Sequence, residues 1–262
     1  MNSEKIRKNK SEDRRALYRF ALIMVASLFT GLVIGVISNR IDEDTSVRIA
    51  GGLMEFLKRI FPVANLVMTV ALIAPVIYLY RKCRRLYQAW DGESEEEIIR
   101  IETGLSYALW FTSILLILSF FFFALGAYFN VHAFDSLKRS DTAYWFGGFL
   151  AAVVSTIAAQ QKIVNFEKEI NPEKQGSIFD QKFAKKWEKS CDEAERLGIY
   201  KSAYASYRAV TVTCLVLWLF CVIGTNLWNF GLMPVTVISI IWLVQVSSYC
   251  IKSISQSKHS LD

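Results

Sequence analysis

Six uninterrupted runs of uncharged, mostly apolar residues constrain this chain most: 20–38, 61–80, 105–129, 143–161, 209–230 and 233–251. Each is 19 residues or longer, and a hydrocarbon core of roughly 30 Å takes about 20 residues of helix to cross. Membrane strands are about half that length and alternate in polarity, which these runs do not. A soluble domain can bury one or two helices that are apolar all round, not six. The expected fold is therefore all-α: a polytopic membrane protein with six transmembrane helices. It forms a single membrane domain over 1–262, with an amphipathic helix in a cytosolic helical insertion, 162–208, between the fourth and fifth spans. The lipid bilayer is the first partner this implies.

Orientation follows from Lys and Arg, which concentrate on the cytosolic side. The N-terminal region carries seven, the loop after span two five, the loop after span four ten and the C-terminal tail two. The opposite side carries 6 against these 24. Both termini are expected in the cytosol, with the chain multi-pass in the cell membrane. The first apolar run is longer than a signal-peptide core and reads as an uncleaved anchor. The net charge of +6 is on this account a topology signal and does not point to nucleic acid. Arg81-Lys82-Cys83-Arg84-Arg85 is a basic stop at a helix end, suited to anionic headgroups.

The chemistry of catalysis is sparse. No Asp, Glu, Lys, Arg or His lies inside a span core, and such residues are the usual markers of ion paths and proton relays. The five cysteines form no C-x-x-C pair, and the two histidines, His132 and His259, fall on opposite sides. Neither a disulfide framework nor a metal site is expected. No phosphate-cradling loop or Ser/His/Asp set occurs, so no cofactor and no enzymatic activity are expected. Glu95-Glu96-x-x-x-Arg100 matches an element of intramembrane proteases, but those also need histidines nearby, and adjacent glutamates at a helix start are capping residues.

Small residues mark the packing faces. Ser27, Gly31 and Gly35 recur every four residues in span one. Gly147, Ala151, Ser155 and Ala159 form an unbroken ladder in span four. Such faces let helices approach closely, and this ladder is expected to meet another span, with a homodimer contact also open. Val47, Ala50, Met54, Leu57 and Phe61 suggest a short interfacial helix before span two, and Pro75 is expected to kink that span. Asn65, Asn226 and Gln245 are expected to make interhelical hydrogen bonds. Ser94 and Glu97 form a capping box from which a helix should run unbroken through span three.

The longest polar interval runs from Asn165 to Tyr207. Ser177 and Asp180 have capping-box spacing. Phe179, Phe183, Trp187, Cys191, Ala194, Leu197, Tyr200 or Lys201, and Tyr204 follow at steps of three or four, one face of a helix. Asp192 and Arg196 are placed for a helical ion pair. The apolar face, with Phe179, Phe183, Trp187 and Cys191 as its interface residues, has two readings. It packs on the protein itself or on headgroups, or it docks a cytosolic protein partner.

Asn171-Pro172-Glu173-Lys174, Gly176-Ser177, Asp180, Phe183, Lys185-Lys186, the run from Ser190 to Glu195, and Tyr200-Lys201 together resemble the signature region of an uncharacterised bacterial membrane-protein family, domain of unknown function 3169. The hydrophobic layout on both sides fits it too. The resemblance implies a membrane location and carries no activity, cofactor or catalytic residue. The missing catalytic chemistry leaves two functional classes: a non-enzymatic regulatory or interaction protein of the bacterial cell membrane, or, from six spans with internal ends and longer cytosolic loops after spans two and four, a permease-type subunit working with a separate ATPase.

Overall fold

The helices follow the apolar runs and extend beyond them into polar sequence at one or both ends. The computed structural model describes residues 43–132, 138–228 and 230–259, together with the helical positions Tyr18, Leu22 and Val25. The expected first span, including Gly31 and Gly35, otherwise lies outside the described residues. In order, the elements are α1 (Glu43–Ala89), α2 (Glu95–His132), α3 (Arg139–Ile170), α4 (Phe183–Lys189), α5 (Glu193–Trp228) and α6 (Met233–His259). Among the described residues, five helices are long and apolar enough to cross a membrane, the signature of a membrane-embedded protein.

The stretch expected as a separate interfacial helix is continuous with the second apolar run in the 47-residue α1, which holds both Pro62 and Pro75. α2 starts at Glu95, with three glutamates in its first turn, and runs to His132. Asp91 Oδ1 accepts the Glu93 and Ser94 N–H groups at 3.0 Å each, which shapes the turn into it. Arg100 pairs with Glu96 one turn away at 3.3 Å, a surface contact on the helix.

The chain divides into two compact units, 53–208 and the combination of 1–52 with 209–262. In the first, α1, α2 and α3 share a core. Val76 and Cys83 from α1, Ile101, Leu105 and Ala108 from α2, and Ile163 and Phe166 from α3 are buried together. A second cluster joins Phe61, Phe129 and Trp145. Burial of such side chains is worth about 1.5–3 kcal/mol each. Polar pins add register: Gln160 Nε2 donates to Thr112 Oγ1 at 3.2 Å, and Thr142 Oγ1 donates to Asn130 Oδ1 at 3.0 Å. Arg84 pairs with Glu169 and stacks its guanidinium 4.8 Å from the Phe166 ring centre.

In the second unit, Gln245 Nε2 reaches Thr211 Oγ1 at 3.4 Å, an interhelical bond of the expected kind. Asn65 departs from that expectation. It is fully buried, and neither its amide nitrogen nor its oxygen has a hydrogen-bond partner.

The small-residue ladder of the fourth run is divided by the fold. Gly147 and Ala151 are exposed, and open space surrounds the Gly147 Cβ position. Ala159 packs on the core. The face buried within this unit is one residue over, at Gly148, Ala152 and Thr156. A Cβ on Gly148 would lie 3.1 Å from Asn65 Cβ and 3.3 Å from the Leu66 backbone nitrogen, so this glycine sets how closely α3 approaches α1.

Candidate functional site

The site begins where α3 ends. Asn171 closes the helix, its N–H bonded to the Glu167 carbonyl at 2.8 Å. Its side chain reaches back as well: Nδ2 donates to Glu102 Oε1 on α2 at 2.9 Å and to Glu167 Oε1 on α3 at 3.3 Å. One neutral amide thus serves two carboxylates. Neither carboxylate belongs to an ion pair among the described residues.

Three residues on, Lys174 turns inward. Its side chain is only 5% exposed and pairs with Glu195 at the start of α5. Nζ also donates to Cys191 Sγ at 3.4 Å and lies 5.9 Å from the centre of the Trp187 ring. Burial pulls the Lys174 ammonium down, but its bonds to Glu195 and Cys191 win and hold it above the usual lysine value. Burial raises the Cys191 thiol, against the lowering effect of Lys174. Glu167, past the end of the 143–161 run, is raised by burial first and then by the nearby Glu102 charge.

The polar segment that follows is folded by short-range bonds. Gly176 takes a φ of +124°, which suits glycine. A Cβ there would come within 2.8 Å of the Phe183 ring. Lys168 Nζ donates to the Gly176 carbonyl. The expected capping box at Ser177 does not start a helix. Instead Asp180 Oδ1 accepts the Lys182 N–H at 2.9 Å, and α4 begins at Phe183. Lys186 Nζ meets Asp180 Oδ2 at 2.5 Å and holds that carboxyl below the usual range.

The single long amphipathic helix is therefore two helices. α4 has seven residues and is capped at its C-terminus by Ser190. Asp192 then starts α5 with a reciprocal cap: the Glu195 N–H bonds to Asp192 Oδ1 at 2.7 Å, and the Asp192 N–H bonds to Glu195 Oε2 at 3.0 Å. Arg196, expected to pair with the Asp192 carboxylate, instead donates from Nε to the Asp192 backbone carbonyl at 3.4 Å. The helical spacing of the apolar residues does not register this break, whereas D-x-x-E at Asp192–Glu195 is its sequence signal.

Of the four interface residues, three converge. Phe183 and Trp187 lie with ring centres 5.5 Å apart, and Cys191 is buried beside Lys174. Phe179 is 72% exposed and stands apart from them. The three line a cleft of about 580 Å³. One wall is α2 through Glu102, Leu105, Ser106, Leu109 and Ser113, and another is α3 through Gln160, Ile163, Val164 and Glu167. Glu102 to Ser113 spans about 16 Å of helix. The cleft thus runs from a polar, charged mouth into apolar sequence. Glu102 and Glu167 carry no motif in the sequence, and Lys174 stands out there only as part of the family signature. Glu167 and Lys174 open the insertion and Glu102 lies on α2, so they become a site only when the chain folds back.

All described elements are helices, and five can cross a membrane, which defines the class as an α-helical membrane protein. Residues 14–253 match the family described as protein of unknown function, DUF3169, and the chain belongs to that family. No curated protein and no solved structure matches it. Among the described residues, no group of three or more His, Cys, Asp or Glu side chains is arranged to hold a metal ion.

Proposed function

We propose that this is a non-enzymatic, multi-pass protein of the cell membrane, both termini cytosolic, that acts by interaction or regulation. Its recognition element is the 162–208 insertion with the cleft beneath it. The observation that carries this reading is the cleft itself. Two carboxylates that share one neutral amide stand at its mouth, beside an aromatic pair and above apolar walls. A volume of about 580 Å³ falls in the range of ligand sites, roughly 300–1,000 Å³. The charges select against anions, because the Lys174 ammonium is already engaged by Glu195 and Cys191. An occupant with a cationic head and an apolar body fits, with the aromatic faces adding cation–π attraction. Glu102, Glu167 and Lys174 also hold the insertion in place through Asn171, Cys191 and Glu195, which suits binding coupled to conformation better than turnover.

Tetraphenylphosphonium and tetraphenylborate have nearly the same shape and opposite charge. Both would be titrated onto the purified protein in zwitterionic nanodiscs, with empty discs as the blank. The phosphonium should bind saturably and the borate should not, and Glu102→Gln with Glu167→Gln should weaken the phosphonium by about tenfold or more. Equal binding of both ions, or indifference to the double substitution, would overturn the reading.

A further inference from the structure

Four basic residues crowd the end of α1, and the fold separates them. Arg84 is half-buried and committed, paired with Glu169 and stacked on Phe166. Arg81, Lys82 and Arg85 are exposed and take part in no ion pair among the described residues. All three line one groove of about 690 Å³ on the side of α1. Its remaining wall is apolar and includes Ala74, Ile77 and Tyr78, with Ile77 and Tyr78 45% and 65% exposed. Ala74, Ile77, Tyr78, Arg81 and Arg85 recur at steps of three or four, so they share a helix face.

We propose that this groove is a binding site for an anionic phospholipid. Its phosphate is held by Arg81, Lys82 and Arg85, and an acyl chain lies along Ala74, Ile77 and Tyr78. The 61–80 apolar run ends one residue before Arg81. The cations therefore stand at headgroup level and the apolar wall at acyl-chain level, about one helical turn, roughly 5 Å, away. Arginine forks match phosphate oxygens in pairs, and the groove offers two arginines and a lysine with no carboxylate among its lining residues. A free phosphate would satisfy the cations and leave the apolar wall bare. A lipid satisfies both, and this settles the choice of occupant. The site stands independently of the cleft described above.

Purified protein would be equilibrated in nanodiscs mixing phosphatidylglycerol with phosphatidylcholine, and retained lipid read by native mass spectrometry. Wild type should retain phosphatidylglycerol preferentially. Arg81→Gln and Arg85→Gln should each lower that retention by roughly fivefold. Arg84→Gln should leave it unchanged, because that guanidinium is spent on α3. Arg81→Lys with Arg85→Lys keeps the charge and should keep most of the retention, which separates loss of a cation from loss of the fold. Excess inorganic phosphate should not displace the lipid. Retention unchanged in both glutamine variants, equal retention of the zwitterionic lipid, or displacement by phosphate would each overturn the proposal.

Discussion

Asn171 Nδ2 sits 2.9 Å from Glu102 Oε1, so the first residue past α3 is fastened to α2, 69 positions earlier in the chain. The same amide reaches Glu167. Asn171→Ala removes the donor both carboxylates share. A lost hydrogen bond to a charged group costs about 1.5–3 kcal/mol, less where water replaces it, as at these partly exposed carboxylates. The expected result is a lower melting temperature with the apolar helices intact by circular dichroism. An unchanged melting temperature would show that the amide does not fasten the insertion.

Acidification should favour the docked insertion. The Glu167 carboxyl is raised above its usual value when folded, so the folded chain holds more protons than the unfolded chain between those two values. Stability must then rise as pH falls through that window, be fully present below it, and be lost as pH rises through the folded value, with no further change above. Glu167→Gln should flatten this part of the profile and leave the protein more stable at neutral pH. Thermal melts across mildly acidic to neutral pH make the comparison, and an identical slope in both proteins would contradict it.

Lys174 and Glu195 form an ion pair with one buried end. Removing one partner of a buried pair costs more than removing both. Lys174→Met should destabilise, and Lys174→Met with Glu195→Gln should recover part of the loss. A double-mutant cycle should return a coupling of about 1 kcal/mol, reduced by the exposure of Glu195. Strict additivity would mean the two do not interact.

Two adjacent alanines on α3 should behave differently. Ala152 is buried and Ala151 is exposed. Ala152→Leu forces a large side chain into a packed face and should cost about 1–3 kcal/mol, whereas Ala151→Leu should change little. Yield and melting temperature in detergent decide it, and the opposite ranking would place the contact on the other face.

The five long helices among the described residues are legible in the sequence because their apolar runs announce themselves by length alone. Glu95 marks the start of α2 through the three glutamates that follow a turn. The packing face of α3 is harder to read. Gly147-Ala151-Ser155-Ala159 and Gly148-Ala152-Thr156 are both small at four-residue spacing, and only the partner helix tells them apart. In the insertion, apolar spacing runs across the break at Ser190–Asp192, so periodicity carries one helix through two. Cap chemistry at Asp192 and Glu195 overrides it. The cleft is least legible, since Glu102 lies far in sequence from Glu167 and Lys174 and is joined to them through Asn171. Phe183, Trp187 and Cys191 were readable as a face, but their neighbours on α2 were not.

Hydrogen exchange of the insertion in nanodiscs tests the central claim most directly, because a recognition element built this way must be folded before anything binds. The Gln175 N–H is bonded to Ser190 Oγ at 3.0 Å, the Asp180 N–H to the Ser177 carbonyl at 2.9 Å and the Phe183 N–H to the Asp180 carbonyl at 2.9 Å. These amides should exchange about tenfold or more slowly than in an unstructured chain, and Asn171→Ala should speed them without affecting α2 beyond Ser113. Exchange of residues 174–192 at unprotected rates in the unsubstituted protein would contradict the account.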